Sequence, residues 1–304
     1  MEIRHLQALV AIAEHGSFSA AAEALGTVQS NVSAHVARLE RELGAPLVDR
    51  SSGRLTEEGE VVVGRARRML IEQVALVADV AAMCREVVGT VRAGMIGTTG
   101  RWLVPRLYTL LRERHPRVQM TVADGTSANL EPRLLSGQLD LAVVSLPVMG
   151  DELTASPLFE EDLMLVVPVD HPFASAPRPL PLDALAELDL LLPLANTALR
   201  DEIDTALRRA GVTLKPAMEL DGIRMIASLT FDGYGPAILP ATAVPMHMRK
   251  LFELVPLAGL PRRRVGVAQR RRGLPSAPTR AVIELLHWVA NDPQERPQGL
   301  HPPG

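Results

Sequence analysis

Between residues 26 and 56 the chain places side chains that could read a nucleic acid. Gln29, Ser30, Asn31 and Ser33 open a helical stretch that also carries Arg38 and Arg41, and Arg50 and Arg54 flank the turn Ser51-Ser52-Gly53. Gln, Asn and Ser exchange paired hydrogen bonds with base edges, and the major groove just admits an α-helix. Arginines neutralise phosphates and fix register without reading sequence. A second set of candidates lies further on, in Thr98-Thr99-Gly100, Thr126-Ser127, Ser145-Leu146-Pro147, Asn196-Thr197 and Gly222. These segments would emerge from one end of a sheet, and the free N–H groups at the helix starts near Gly100, Ser127 and Thr197 would receive a carboxylate or phosphate. A plainer reading makes each of these hydroxyls only a helix N-cap. Arg200, one turn into its helix, reads equally as an anion clamp or a surface charge.

The elements that must position these residues follow from periodicity. Val32, Val36, Leu39 and Leu43 recur at i, i+4, i+7 and i+11, one narrow apolar stripe that faces inward. Ser30, Asn31, Ala34, Arg38 and Arg41 fall on the other side, with Gln29 and Ser33 on the flanks. Gly44 is suited to a C-cap, and "APLVDRSSGRLT" reads as a two-stranded ribbon. Upstream, Leu6, Leu9, Val10 and Ala13 mark one helix and "SFSAAAEALG" a second. Three short helices and a ribbon make a winged helix-turn-helix; periodicity alone also allows a small bundle with a solvated polar face.

The run from Leu6 to Glu60 resembles the N-terminal domain of the LysR-type transcriptional regulators. The resemblance rests on Gly16-Ser17-Phe18-Ser19, Ala21-Ala22, Gln29, Ser33, Leu39-Glu40, Leu43-Gly44, Leu47, Arg50 and Leu55-Thr56 before Gly59. Leu9 and Val48 stand where that family usually has Phe, Ser30-Asn31 where Pro-Ala is frequent, and Ala34 where a basic residue is common. The first two swaps keep the apolar character; the others bear on base preference. The resemblance implies a linker helix, a homodimer or homotetramer, double-stranded promoter DNA and RNA polymerase as partners, and a two-lobed effector domain for a small molecule.

The residues after the winged domain bear on the same organisation. Val63, Leu70, Val77 and Cys84 recur every seven positions, with Val74, Ala81 and Val88 four positions after Leu70, Val77 and Cys84. That pattern predicts a linker helix over 59–89, ended by Gly89, whose seam pairs with a second copy. Cys84 in this seam reads as a small buried apolar residue rather than a redox sensor. From Thr90 the pattern alternates between strands and helices, which predicts βαβ units and a parallel sheet. Crossing strands near 160–167 and 264–269 would join two lobes, about 90–161 with 266–290 and about 162–265, as in periplasmic-binding-protein-like (type 2) domains. Ligands of such sheets bind outside the carboxyl ends of the strands.

Composition adds limits. The 304 residues carry a net charge of −3 and are 47% hydrophobic, room for more than one core and no global nucleic-acid or membrane signature. Apolar runs fall short of the roughly 18 residues that span a bilayer, and "MEIRH" lacks a signal-peptide pattern, so a soluble cytoplasmic protein is expected. The single cysteine rules out an intramolecular disulfide, the histidines form no HExxH, and the glycines of "GMIGTTG" fit no nucleotide loop, so no cofactor is expected. In residues 1–58, Arg4, Arg38, Arg41, Arg50 and Arg54 face eight acids, Glu2, Glu14, Glu23, Glu40, Glu42, Asp49, Glu57 and Glu58. That balance is unusual for a DNA reader, so the face on which the arginines sit must matter. The triplets Arg262-Arg263-Arg264 and Arg270-Arg271-Arg272 read first as a solvated edge, second as an auxiliary contact. The tail 291–304, rich in Pro and Gly, is expected to be disordered.

The sequence therefore reads as an α/β protein with a winged helix-turn-helix at 1–58, a linker at 59–89 and an effector domain at 90–290. Its function reads as a DNA-binding regulator, not an enzyme, controlled by an anionic small molecule in the cleft between lobes. The alternative is a solute-binding protein or α/β enzyme with a helical appendage; the missing export signal and missing catalytic motifs weigh against it.

Overall fold

A computed structural model describes residues 1–83, 86–195, 197–293 and 296–304. The first three helices are α1 (Ile3–His15), α2 (Phe18–Ala24) and α3 (Gln29–Leu43). Ser17 caps α2 by accepting from the Ala20 amide at 3.1 Å, and Gly44 ends α3 at a φ of 72°, where a side chain would be strained. Val32, Val36 and Leu39 are fully buried against α1, but Leu43 is 46% exposed because the last turn of α3 runs past that core. The ribbon shrinks to one bridge, Val48 to Leu55, closed by Asp49 N–H to the Arg54 carbonyl at 2.8 Å.

Helix α4 (Glu57–Met83) follows, with Glu57, Glu58 and Glu60 in its first turn complementing the helix dipole. Its Val63 and Ala66 close the winged core, and its Ala75 and Ala78 are buried further along. The heptad positions are thus divided. Val63 belongs to the winged core, whereas Val74 and Val77 lie exposed with Met69, Leu76, Val80 and Met83. Cys84 lies outside the described residues, and Gly89 opens the next strand instead of ending the helix.

The remainder alternates as β1 (Gly89–Ile96), α5 (Gly97–Arg114), β2 (Val118–Gly125), α6 (Ser127–Leu135), β3 (Leu141–Ser145) and β4 (Leu153–Glu161). The second lobe holds β5 (Leu163–Pro168), β6 (Asp189–Pro193), α7 (Ala198–Ala210), β7 (Lys215–Leu220), α8 (Ile223–Phe231), β8 (Ala237–Pro240) and β9 (Phe252–Pro256). The chain returns through β10 (Arg263–Arg270) and α9 (Ala277–Asn291) to a short β11 (Leu300–His301). One sheet has the order β11-β4-β10-β3-β1-β2 and the other β7-β6-β8-β5-β9. Both are mixed, not parallel: β10 runs antiparallel to β3 and β4, and β5 antiparallel to β8 and β9. The strands that cross between lobes enter and leave each sheet in opposite senses, which the alternation of elements does not reveal.

The tail also departs from expectation. Leu300 and His301 pair with Glu161 and Glu160 of β4, and Leu300 is buried. His301 Nε2 lies 2.8 Å from Asp162 Oδ2, and the Asp162 amide donates to the Gly299 carbonyl at 2.8 Å. A ladder edge, the His301–Asp162 contact and the buried Pro297 and Leu300 hold the segment, signals that composition does not carry.

Gly59 shows how closely α4 joins the winged core. A Cβ there would stand 2.0 Å from the Leu47 carbonyl oxygen, a backbone atom that cannot swing aside. Gly59→Ala is expected to destabilise the winged domain by about 1–3 kcal/mol or more. Hydrogen exchange should show the loss in α1 and α3 while amides of β1 and β3 keep wild-type protection.

Candidate functional site

Two sites emerge. At the first, α3 presents Gln29, Ser30 and Asn31 on its exposed first turn, with Ser33 half-buried one turn on and Arg38 exposed beyond. Ser19 of α2 donates to Gln29 Oε1 at 3.3 Å, and Asn31 Nδ2 donates to Thr27 Oγ1 at 2.9 Å, so both amides are oriented before any ligand arrives. Arg50 joins the wing to the helix: it donates to Ser33 Oγ at 3.0 Å and to Glu40 Oε2 at 2.8 Å, with its guanidinium 5.1 Å from the Phe18 ring centre. Arg54 extends from the wing exposed. The six residues Gln29, Ser30, Asn31, Ser33, Arg50 and Arg54 are brought together by α3 and the wing. Arg38 lies further along α3, 3.6 Å from Glu42.

Glu40 organises this surface. Its carboxylate accepts the Leu47 amide at 2.9 Å, the Val48 amide at 3.2 Å and Arg50. Burial alone would raise its pKa, but the Leu47 amide, the Arg50 guanidinium and the Val48 amide outweigh burial and hold the carboxyl below its usual range. Asp49 in the turn is brought down to about 2 by the Ser51 hydroxyl, the Ser51 amide and the Ser52 hydroxyl. Both acids are therefore held ionised; Arg50 offsets the charge of Glu40, whereas the charge of Asp49 is held by the turn's hydroxyls and amide.

The second site is a cavity of about 380 Å³ between the lobes. Thr98, Thr126, Ser127, Ser145, Thr197 and Gly222 all line it, brought from the N-termini of α5, α6, α7 and α8 and the end of β3. Ser127 Oγ accepts the Ser145 amide at 3.0 Å, and Thr197 Oγ1 donates to the Leu194 carbonyl at 2.8 Å. Four expected residues are not on this wall. Helix α5 begins at Gly97 itself, which turns Thr99 fully inward and leaves Gly100 facing an outer groove. Leu146 packs over Gly266. Arg200 is tied to Asp204 at 2.9 Å, Glu219 at 2.5 Å and the Pro193 carbonyl at 2.8 Å. Asn196 lies outside the described residues.

The cavity also has walls that sequence reading missed. Arg263, from the first arginine triplet, is buried and lines it, donating to Glu161 Oε1 at 2.8 Å through Nε and to Thr98 Oγ1 at 3.2 Å. Glu161 is fully buried and also accepts from the Thr242 hydroxyl at 2.8 Å. The solvated-edge reading therefore fails for Arg263, although Arg262 and Arg264 on either side are exposed. That alternation of period two is the signal that could have found it. Arg270, of the second triplet, donates to the Leu134 and Leu139 carbonyls at 2.9 and 3.0 Å. Asp124 and Arg224 complete the wall, joined across the lobes at 2.7 Å. Glu202 of α7 has its carboxyl pushed up by burial, opposed by the charge of Arg263.

Residues 3–60 match the family described as "Bacterial regulatory helix-turn-helix protein, lysR family", and residues 85–290 match "LysR substrate binding domain". The chain belongs to the LysR family. It is 33% identical over 289 residues, 93% of both chains, to a probable hydrogen peroxide-inducible genes activator of Mycobacterium leprae. It is 30% identical over 291 residues, 94% of this chain and 93% of the other, to the DNA-binding transcriptional dual regulator OxyR of Escherichia coli. A full-length OxyR variant from Pseudomonas aeruginosa superposes with a TM-score of 0.74 at 26% identity, covering 95% of this chain and 97% of that one. This LysR-family chain is thus a DNA-binding transcription regulator with an effector domain, not an enzyme, and the solute-binding and enzymatic alternatives find no support. Among the described residues no helix is long and apolar enough to cross a membrane.

Glu40 gives this regulator a pH dependence with a definite sign. Because its folded pKa is depressed, its contribution is fully present above its unfolded pKa and is lost as pH falls through the folded value. Glu40→Gln should cost about 1–2 kcal/mol of winged-domain stability at pH 7. Urea unfolding from pH 7 down to pH 3 should show wild type and variant converging as the acid is titrated; a gap that stays constant would remove the charged carboxylate from the account.

Proposed function

We propose that this LysR-family regulator binds an interrupted inverted repeat in promoter DNA as a homodimer or homotetramer in the cytoplasm. A small molecule with an anionic group, bound in the inter-lobe cleft, alters the spacing of its DNA-reading domains and so their contact with RNA polymerase. The observation that carries this reading is the continuity of α4. One helix is built into the winged core through Val63 and Ala66 and joined to α9 through Asp79, which accepts the Ala277 amide at 2.8 Å and pairs with Arg280 at 3.2 Å. A shift of the effector domain relative to α4 would therefore be felt at the winged domain through a rigid element. The exposed set Met69, Leu76, Val80 and Met83 supports a second copy on the outer face of α4. A two-fold protein then calls for a two-fold site.

The relatives' name speaks of hydrogen peroxide. Peroxide oxidises a cysteine thiolate to a sulfenic acid, which a second thiol in the same chain can then close to a disulfide with loss of water. This chain has one cysteine, Cys84, just before the effector domain, so it cannot close an intrachain disulfide, and we assign its response to a reversibly bound ligand in the cleft.

The test is a gel shift on a fragment from upstream of the regulator's own gene, at several salt concentrations. Arg54→Ala should weaken matched and scrambled sites alike and flatten the salt slope by about one unit, as a lost phosphate contact does. Gln29→Ala should lower the ratio of specific to non-specific affinity by about 1–3 kcal/mol at an unchanged melting temperature. No binding to any native promoter fragment would overturn the proposal, and an unchanged ratio for Gln29→Ala would move base reading off this helix.

A further inference from the structure

Three arginines could serve an anionic ligand at the cleft, and they differ in how firmly they are held. Arg263 is buried against the fully buried Glu161, and parting a buried pair strands an uncompensated charge. Arg200 is fixed by two carboxylates and a backbone carbonyl and does not line the cavity. Arg224 is different. Its only carboxylate partner among the described residues is Asp124, and the pair is 58% and 46% exposed, so exchanging that partner costs little.

The position of this pair is as telling as its looseness. Arg224 begins α8 in one lobe, and Asp124 ends β2 in the other. Both also line a second cavity, an open groove of about 520 Å³ walled by Val104, Pro105 and Val122. Gly97, Asp124 and Arg224 are common to the groove and the cleft, so the ion pair is the partition between them. Gly97 makes room for it: a Cβ there would stand 2.9 Å from Asp124 Oδ1 and 3.0 Å from Arg224 Cδ.

Resting on the proposal that the cleft binds an effector, we propose that Arg224 is its anion-binding arm, held by Asp124 in the empty state and transferred to the ligand on binding. The exchange is one of partners: the Arg224–Asp124 pair parts, and an Arg224–carboxylate pair forms beside the N-termini of α6 and α7. Asp221 also lines the cleft and has no ion-pair partner among the described residues, which favours a ligand with one anionic group over one with two.

The consequence is opposite for the two partners. Removing Asp124 frees the arm and deletes a competing negative charge, so Asp124→Asn should tighten carboxylate binding about 3–10-fold. Arg224→Gln should weaken it tenfold or more, with Arg224→Lys between. The experiment titrates full-length protein with a panel of monocarboxylates and matched dicarboxylates of three to eight carbons, plus inorganic phosphate, following the shift in melting temperature and then calorimetric affinity. Leu199→Trp, which fills the cleft, should abolish binding and so locates the site. Equal affinities in wild type, Asp124→Asn and Arg224→Gln, with Leu199→Trp inactive, would overturn the arm while leaving the cleft as the binding site. Tighter binding of dicarboxylates than monocarboxylates would overturn the one-anion assignment. Panel members that bind without changing the DNA footprint would instead count against the effector reading, and a panel without any binder to wild type or Asp124→Asn would overturn the arm.

Discussion

The Glu161–Arg263 pair is the interaction on which the two-lobed half of the molecule depends. The two residues face each other in the ladder of β4 and β10, at the point where one strand is about to leave the first sheet and the other has just returned to it. Glu161 reaches the second lobe through Thr242, and Arg263 reaches the first helix of the first lobe through Thr98. Four elements thus meet on one buried charge pair, whose acceptors are occupied on both sides. Such a pair adds little net stability over an apolar substitute, yet losing one partner costs about 3–5 kcal/mol, so it specifies the register of the crossing strands more than it holds them. Register is what the cleft needs, because its walls come from both lobes.

The packing around that pair is continuous. The apolar core that holds Val91, Leu103 and Leu107 of the first lobe extends to Met164, Ile226 and Leu239 of the second, while the other face of the second sheet packs separately against Ile203 and Leu207 of α7. The lobes therefore share apolar contact in addition to their crossing strands. Motion between them is limited to what this shared core permits, small shifts rather than wide opening. A joint of this kind is suited to passing a modest displacement from the cleft to α9 and so to α4.

How much of this was legible follows from the range of each signal. The face of α3 was, because Val32, Val36 and Leu39 repeat within one helix, whereas Leu43 continues the spacing past the core that gives it meaning. Thr126, Ser127, Thr197 and Gly222 were, because strand-to-helix switches mark the mouth of an α/β sheet. Thr99 was misplaced by where α5 begins, a difference of a single turn. Arg263 was hidden by its neighbours: three consecutive arginines look like surface unless strand alternation is imposed on them. Arg224 and Asp124 are 100 residues apart and carry no local pattern, and β11 is two residues whose pairing only the tertiary fold supplies. Each miss is a case where long-range placement, not residue type, decides.

Placement, not residue count, also resolves the charge balance of the winged domain. Its acids outnumber its arginines, yet most are engaged away from the base-reading face. Glu42 pairs with the N-terminal ammonium at 2.5 Å, Glu2 with Arg4 at 2.6 Å and Glu14 with Arg67 of α4 at 3.5 Å. Glu57 and Glu58 sit at the start of α4, where the helix dipole favours them. Asp49 is spent on the turn that carries the wing, and Glu40 on the joint between wing and helix. Screening over roughly 8 Å makes the local field, not the domain total, the quantity a phosphate meets. Arg54 carries that field outward, and Arg50, held between Ser33 and Glu40, sets the distance between the wing and the helix. The acids that seem to argue against DNA are therefore the residues that shape the surface for it.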